Sequence, residues 1–103
     1  MEIIFQAHHA TVSDGLREQA ERAVRKAAER LTRVVDAVVR FENDGPMRRV
    51  EIILHAPRQK RFVASGTADR FDAALSTAVS RLEAQTRQHK RSRQASPMKL
   101  AQM

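Results

Sequence analysis

The sequence lacks residue types on which whole classes of protein depend. It has no cysteine, so it can form neither a disulfide framework nor a thiolate metal site. It has no tryptophan or tyrosine and only four phenylalanines. No stretch approaches the roughly 18 consecutive apolar residues of a membrane span, and no basic leader precedes the first strand pattern. These absences predict a cytoplasmic protein that is not bound to a membrane.

Motifs for catalysis and cofactor binding are missing as well. The glycines are isolated from one another, so no phosphate-binding loop or nucleotide fingerprint is present. His8 and His9 are adjacent on a predicted strand and would point to opposite faces, while His55 and His89 have no partner at metal-ligand spacing. No serine or threonine lies in a nucleophile motif. We therefore expect no enzyme activity, no cofactor, no metal and no small-molecule substrate.

What the chain does have is positive charge, concentrated at one end. Its net charge is +7 over 103 residues. Residues 84–103 contain five basic and no acidic side chains, whereas residues 1–83 contain 14 basic and 12 acidic ones, a net +2. A basic protein of this kind is expected to have an acidic partner, such as nucleic acid or an anionic membrane surface.

The hydrophobic pattern predicts one small domain with the element order β-α-β-β-β-α. Alternating apolar residues indicate strands, and an apolar residue at every third or fourth position indicates an amphipathic helix. Thr11 or Ser13 can cap the first helix, and Thr67 or Asp69 can begin the second. The predicted boundaries are strand 2–8, helix 14–33, strands 34–42, 48–56 and 61–66, and a second helix with apolar residues from 71 to 82.

This order predicts an α+β fold, in which both helices pack on one face of a four-stranded mixed sheet. Strands 1 and 2 flank a helix and should be parallel, whereas strands 2, 3 and 4 are joined by short turns and should be antiparallel. The predicted domain spans residues 1–93, and residues 94–103 are predicted to form a disordered tail. The sheet residues expected to face the helices are Ile3, Phe5, Val39, Phe41, Val50, Ile52, Leu54, Phe62 and Ala64.

The aromatic residues and the strand order limit which kinds of nucleic-acid binding are expected. All four phenylalanines fall on predicted core positions, so the base-stacking platform of single-strand binders is missing. The strand order also differs from that of the RNA recognition motif. What remains is phosphate contact by arginine and lysine, which reads folded RNA by shape and charge. The candidates are Arg22, Arg25, Lys26, Arg30 and Arg33 on helix 1, the Arg58–Lys60–Arg61 turn, and Arg81 onward on helix 2.

The two helices differ in how their cations are balanced. On helix 1, glutamate precedes arginine at i,i+4 spacing, which favours ion pairs on a solvated face. On helix 2 no acidic residue follows Glu83, and the stretch TRQHKRSRQ (86–94) has four cations. The apolar stripe of that helix ends at Leu82, and its continuation falls on polar residues. We therefore expect helix 2 to project beyond the sheet as a cationic rod. The i,i+4 pairs on helix 1 are Glu18–Arg22, Glu21–Arg25 and Glu29–Arg33.

The opposite face of the sheet leaves a second hypothesis open. It is predicted to carry apolar residues among charged ones, either as ordinary scattered surface residues or as one contiguous patch. In the second case the protein would be an interaction module that dimerises or modulates a transcription factor through this face. The residues concerned are Ile4, Val38, Ile53 and Val63, among Arg40, Glu51 and Arg61.

Three stretches in order carry a resemblance to a known family. VSDGLREQAERAVRKAAERL follows strand 1, VASG leads into helix 2, and ADRFDAALSTAVSRLEAQTRQHK forms most of that helix. Together they resemble the short form of the ribosome hibernation-promoting factors, a family that includes ribosome-associated translation inhibitors and proteins labelled as modulators of an alternative sigma factor. The resemblance covers about residues 1–91.

The resemblance implies a function without catalysis. Family members bind the small ribosomal subunit in the channel for messenger and transfer RNA, and they inhibit translation in stationary phase or stress. The implied partners are the small subunit and its ribosomal RNA, with no membrane. The chain lacks the additional C-terminal domain by which long forms pair ribosomes, so ribosome dimers would be expected to need a separate dimerising factor.

The resemblance also implies site residues, carried over by position. A family arginine falls on Ala84, a family lysine on Gln88 and the common tyrosine at the start of helix 2 on Asp72, while Arg87 and Arg91 lie within a turn of the lost charges. From the resemblance come Arg22, Arg25, Arg81, His89 and Lys90. With the other helix cations, the expected RNA-binding set is Arg22, Arg25, Lys26, Arg33, Arg81, Arg87, His89, Lys90 and Arg91.

Overall fold

The computed structural model describes residues 1–57 and 61–102, with side chains as far as His89. The predicted element order is confirmed. The elements are β1 (Glu2–His8), α1 (Asp14–Ala28), β2 (Asp36–Asp44), β3 (Met47–His55), β4 (Phe62–Ala68) and α2 (Phe71–Gln102). Lys90 onward lies in α2, but those side chains and Met103 lie outside the described residues. Residues 94–103, predicted as a disordered tail, lie in α2 as far as Gln102, and the division of the chain at residue 93 stays a prediction.

The sheet has the strand order β1-β2-β3-β4, so each strand pairs with its neighbour in sequence. β1 pairs parallel with β2, while β2–β3 and β3–β4 are antiparallel, which confirms the mixed α+β fold. β2 and β3 are joined by a tight turn in which Gly45 has a φ of 61°, a backbone conformation that glycine adopts without strain. β1 and β4 are the edge strands.

α1 is shorter than predicted, because the chain turns after Ala28. Arg30 N bonds to Ala27 O and Leu31 N bonds to Ala28 O, and these i→i−3 bonds tighten the helix end. Arg33 has a φ of 60°, so it cannot belong to a right-handed helix. Leu31 nevertheless remains 9% exposed against the core, which is why the apolar period continued past the real end of the helix.

One hydrophobic core lies between the sheet and the two helices. The predicted inward residues of the three strands from β2 to β4 are all buried, whereas Ile3 and Phe5 on the edge strand β1 are only partly buried. From the helices, α1 contributes Ala20, Val24 and Ala27. The buried residues of α2 are Ala74, Leu75, Ala78, Leu82 and Thr86.

The packing of α2 extends further along the helix than its apolar stripe predicts. Thr86 is completely buried, and its Oγ1 donates to Glu83 O at 3.1 Å. The His89 ring packs edge-on against Phe62, with the centroids 5.4 Å apart. The prediction that α2 leaves the sheet after Leu82 is therefore wrong by about two turns. A buried threonine satisfies its hydroxyl on its own helix, so a polar residue can continue an apolar stripe.

α2 lies unusually close to β4 at Gly66. A Cβ atom at this position would lie 2.8 Å from the main-chain nitrogen of Ala78 and 2.8 Å from the Cβ of Thr77, and still closer to Ala74 O. The glycine in VASG is therefore required by the approach of two backbones rather than by a turn. This contact fixes how α2 lies across the sheet.

Candidate nucleic-acid interface

The basic residues of α1 lie on the side of the helix that faces solvent. Ser13 caps the helix by accepting from Leu16 N at 3.2 Å, and Asp14 in the first turn complements the helix dipole. Burial of three residues of this helix against the core turns Arg22, Arg25 and Lys26 outward, and all three are exposed. Arg22 and Lys26 are one turn apart on the same face.

Only one of the three predicted ion pairs on α1 forms. Arg25 Nε lies 3.6 Å from Glu21 Oε2, with both side chains about half exposed. Such an exposed pair contributes little stability, so a phosphate can replace the carboxylate at small cost. Within the described part of the chain, Arg22 and Lys26 have no carboxylate at ion-pair distance.

Two further candidates in the segment after α1, Arg30 and Arg33, have different environments. Arg33 is exposed but lies outside the helix, so its predicted pair with Glu29 is absent from the described ion pairs. Arg30 is half-buried, and its Nη1 has no hydrogen-bond partner among the described residues. Arg33 and Arg25 line one shallow depression together with Met1 and Val34. This places the C-terminal end of α1 beside the start of β1.

Arg81 on α2 bonds to the free edge of the sheet. Its Nη1 donates to Ser65 O at 2.8 Å, and one turn later Gln85 Nε2 donates to Val63 O at 2.9 Å. Four helical residues rise about 6 Å and two strand residues about 6.7 Å, so the two repeats match. The side chains of α2 therefore cover the outward carbonyls of β4, which are otherwise available for pairing with another chain.

Arg87 and His89 have different environments. Arg87 is exposed and lies 3.2 Å from Glu83 Oε2, with a second bond from its Nε to Glu83 O at 3.4 Å. His89 is half-buried against Phe62, and its Nε2 is buried without a hydrogen-bond partner in the described part of the chain. The geometry of His89 is that of a packing residue at the end of the core.

The remaining candidates are only partly described. Lys90 and Arg91 follow His89 within α2, but their side chains lie outside the described residues, as do Arg58 and Lys60. Arg61 is exposed immediately before β4. Whether these residues contact RNA stays a prediction.

The topology brings the C-terminal ends of both helices to the same end of the sheet. α2 begins where Phe71 packs on Phe41 near the end of β2, and it reaches Phe62 at the start of β4 through His89. α1 likewise starts beyond the end of β1 and returns to its beginning. The exposed cations of both helices and of the segment after α1 are together called the basic helix surface below: Arg22, Arg25, Lys26, Arg33, Arg81 and Arg87.

Sequence reasoning missed the second contact to the edge of β4. Gln85 is uncharged and one of several glutamines, and nothing in the sequence shows which sheet edge its helix crosses. Arg17 was also missed; its guanidinium lies 5.1 Å from the centroid of the Phe5 ring. An arginine twelve residues after a phenylalanine gives no signal unless the crossover geometry is known.

The potential metal ligands of the described residues do not cluster. No group of three or more His, Asp or Glu residues among them is close enough to hold a metal ion. A cavity of about 210 Å³ is lined by Phe5, Gln6, Ala7, Val12, Arg17 and Phe41, a set without a carboxylate, a histidine or a hydroxyl group. A neighbouring depression of about 240 Å³ is lined by Phe5, Asp14, Arg17, Glu18 and Glu21. Of the helices in the described ranges, none combines the length and the apolar character needed to cross a membrane.

A comparison with family sequence profiles decides which family this is. The profile described as sigma 54 modulation protein / S30EA ribosomal protein matches residues 3–94. The chain belongs to this family. The match covers all six elements, extending about three quarters of the way along α2, in agreement with the resemblance found in the sequence.

Solved structures share the fold at low sequence identity. The N-terminal domain of Protein Y from Thermus thermophilus has a TM-score of 0.73 and 22% identity, with 86% of this chain and 99% of that chain covered. A ribosomal subunit interface protein from Coxiella burnetii has a TM-score of 0.72 and 19% identity, with 87% and 98% covered. No curated protein sequence matches the chain.

Proposed function

We propose that this protein is a non-catalytic factor that binds the small ribosomal subunit and inhibits translation in stationary phase or stress. It would occupy the channel for messenger and transfer RNA, and its partners would be the small subunit and its ribosomal RNA. Membership of the sigma 54 modulation protein / S30EA ribosomal protein family supports ribosome binding. One relative of the same fold is named as a ribosomal subunit interface protein. A role on the ribosome would place the protein in the cytoplasm.

The observation that carries the proposal is the basic helix surface. Its cations lie on the two helices, whose C-terminal ends are at the same end of the sheet, and on the segment after α1, so a folded RNA could contact several of them through its phosphates. Two of these cations are held by glutamates, Arg25 by Glu21 and Arg87 by Glu83. Both guanidinium groups are at least half exposed, so the glutamates hold them in place without neutralising them permanently.

The proposed contact set is narrower than the set predicted from sequence. Arg22, Lys26 and Arg33 would contact phosphate directly, and Arg25 and Arg87 would exchange a glutamate for phosphate. Arg81 would bind phosphate through the guanidinium N–H groups that do not donate to Ser65 O. Lys90 and Arg91 would extend the surface along α2. His89 would serve mainly to hold that part of α2 against β4, because its ring packs on Phe62.

Co-sedimentation with small ribosomal subunits across a salt series tests the proposal. Neutralising about 4–6 phosphates would make log affinity fall with log salt, with a slope of about −0.7 to −0.9 per contact. The variant with Arg81, Arg87, Lys90 and Arg91 changed to alanine should remain folded and lose inhibition of in vitro translation. No association of the wild type even at low salt would exclude the proposal.

A charge-matched control separates a surface effect from a general loss of positive charge. The double variant Arg81→Ala/Arg87→Ala removes two cations near the C-terminal half of α2. Arg48→Ala/Arg70→Ala removes two cations at the opposite end of that helix, where Arg48 lies over Phe71 and Arg70 pairs with Asp72. We expect a much larger loss of ribosome affinity in the first variant. Equal losses would mean that the protein binds through net charge alone.

A further inference from the structure

The face of the sheet opposite the helices carries an unbroken apolar row. The register aligns Ile4 with Val38, Val38 with Ile53, and Ile53 with Val63, so the row crosses all four strands. Its two ends are exposed, Ile4 by 42% and Val63 by 43%. Scattered apolar residues are ordinary on a surface, but here they lie side by side at strand spacing.

Charged residues next to this row alternate in sign between the two central strands. Arg40 on β2 lies opposite Glu51 on β3 with 3.5 Å between Nη1 and Oε1. Glu42 on β2 lies opposite Arg49 on β3 with 3.7 Å between Oε2 and Nη1. On the other side of the row, Asp36 lies opposite His55. Each of these positions on β2 thus has a residue on β3 that can pair with it.

The electrostatics of this face do not suit RNA. Its strand residues include five carboxylates, those of Glu2, Asp36, Glu42, Asp44 and Glu51, and only two guanidinium groups, a net −3. The remainder of the chain has 17 basic and 7 acidic residues, a net +10. Phosphate would be repelled from this face and attracted to the helices. An apolar row with cross-strand ion pairs beside it is better suited to protein.

The alternation of charge makes the face complementary to itself. A two-fold axis parallel to the strands, midway between β2 and β3, places β2 of one copy over β3 of the other. Arg40 then faces Glu51 of the second copy, and Glu42 faces Arg49 of the second copy. The same rotation keeps the apolar rows in register. The two sheets would pack in the aligned mode, with their strands within about 30° of each other.

We infer that a second copy of this chain docks on the open sheet face through such a two-fold axis. The face is about 19 Å wide and about 23 Å long from the strand spacing and rise, so the pair would bury about 900 Å² in total. This is below the usual size of a stable interface. The dimer is therefore weak, forms at high protein concentration and leaves both basic helix surfaces exposed for RNA.

Sedimentation equilibrium of the full chain over a concentration series tests the inference. We expect reversible association of the wild type and at least a tenfold weaker association of Ile53→Lys, with an unchanged circular dichroism spectrum. Ser76→Lys, which adds the same charge on an exposed position of α2, should associate like the wild type. A wild type that stays monomeric up to millimolar concentration, or equal behaviour of the two variants, would overturn the inference.

A charge-exchange pair tests the orientation of the axis. Glu42→Arg alone places arginine against arginine across the proposed interface, and Arg49→Glu alone places glutamate against glutamate. Each variant should therefore be monomeric, while an equimolar mixture should form a heterodimer in which both contacts are complementary. Thermal melts of each variant check that the fold survives loss of the pair within the chain. Absence of the heterodimer while the wild type dimerises would exclude this axis.

The inference is independent of the proposed ribosome binding. Ile53→Lys should co-sediment with small subunits as the wild type does, because the substitution is on the face away from the helices. Ribosome affinity that falls together with self-association would instead show that the open face contacts the ribosome, and the second copy would then be the wrong occupant.

Discussion

Arg81 reaches across from α2 and donates a hydrogen bond of 2.8 Å to Ser65 O on the outer edge of β4. An arginine that charge and resemblance assign to RNA thus also closes a sheet edge. The two roles are compatible, because a guanidinium has five donors and this bond uses one of them. They can be separated experimentally, since Gln85 makes the same kind of bond without carrying charge.

The first prediction compares Arg81→Ala with Gln85→Ala. Each variant loses one exposed hydrogen bond to β4, so each should lower the free energy of unfolding by about 0.5–1 kcal/mol in urea titrations. Only Arg81→Ala should weaken binding to small subunits, with the salt slope reduced by about 0.7–0.9. A similar loss of affinity for Gln85→Ala would indicate that edge coverage, rather than charge, governs binding.

The second prediction concerns the close approach at Gly66. Gly66→Ala should lower the free energy of unfolding by about 1–3 kcal/mol, because a methyl group must displace α2 from β4. Gly15→Ala is the matched control, since no atom lies within 4 Å of a Cβ there and the residue is in the first turn of α1. It should stabilise by about 0.5–1 kcal/mol. Thermal and urea unfolding measure both changes, and an unaltered Gly66→Ala would contradict the packing described.

The third prediction distinguishes packing from RNA contact at His89. His89→Ala should lower the free energy of unfolding by about 0.5–1.5 kcal/mol, because the edge contact with Phe62 is lost. Gln88→Ala, at the neighbouring exposed position, should change stability by no more than about 0.5 kcal/mol. Ribosome affinity of folded His89→Ala should fall less than that of Arg87→Ala. A stable variant with tenfold weaker binding would instead make His89 an RNA ligand.

The fourth prediction concerns the ion pair between Glu21 and Arg25. Glu21→Gln removes the carboxylate that holds Arg25 at 3.6 Å and should strengthen RNA binding by about 1.4- to 5-fold, equivalent to the roughly 0.2–1 kcal/mol of an exposed ion pair. Asp44→Asn changes the net charge by the same amount at the end of β2, away from the C-terminal ends of the helices, and should have a smaller effect. Fluorescence anisotropy with a ribosomal RNA fragment compares the two, and equal effects would argue against Arg25 as a contact.

Much of the fold was predictable because the strand pattern and the helix pattern coincide with burial. Residues such as Val39, Ile52 and Phe62 fall on the alternate positions predicted to face the helices, and each is buried as expected. The end of α1 was not predictable from periodicity. Leu31 lies in the turn after the helix, but its side chain still reaches the core, as it would have done if the helix had continued. The burial of Thr86 was also not predicted, because a polar residue was expected to lie outside the apolar stripe. Its hydroxyl group bonds to its own helix, which is compatible with complete burial.

The candidate site was predictable only in its composition. Counting charges places the cations on two helices, and the topology then brings Arg33 and Arg87 toward the same end of the sheet. The contacts that the side chains of α2 make with the sheet depend on tertiary geometry. That Arg81 meets Ser65, while His89 meets Phe62, follows from how α2 crosses β4 and has no counterpart in the local sequence.

The separation of charge between the two faces also has a kinetic consequence. With a net −3 on the open sheet face and +10 on the remainder of the chain, the molecule has a permanent electric dipole directed toward the helices. In the field of a polyanion, a torque would rotate the molecule during its approach, so that the helices arrive first. Fewer encounters would then be lost to wrong orientations. The association rate constant should fall with added salt even where the dissociation rate constant changes little.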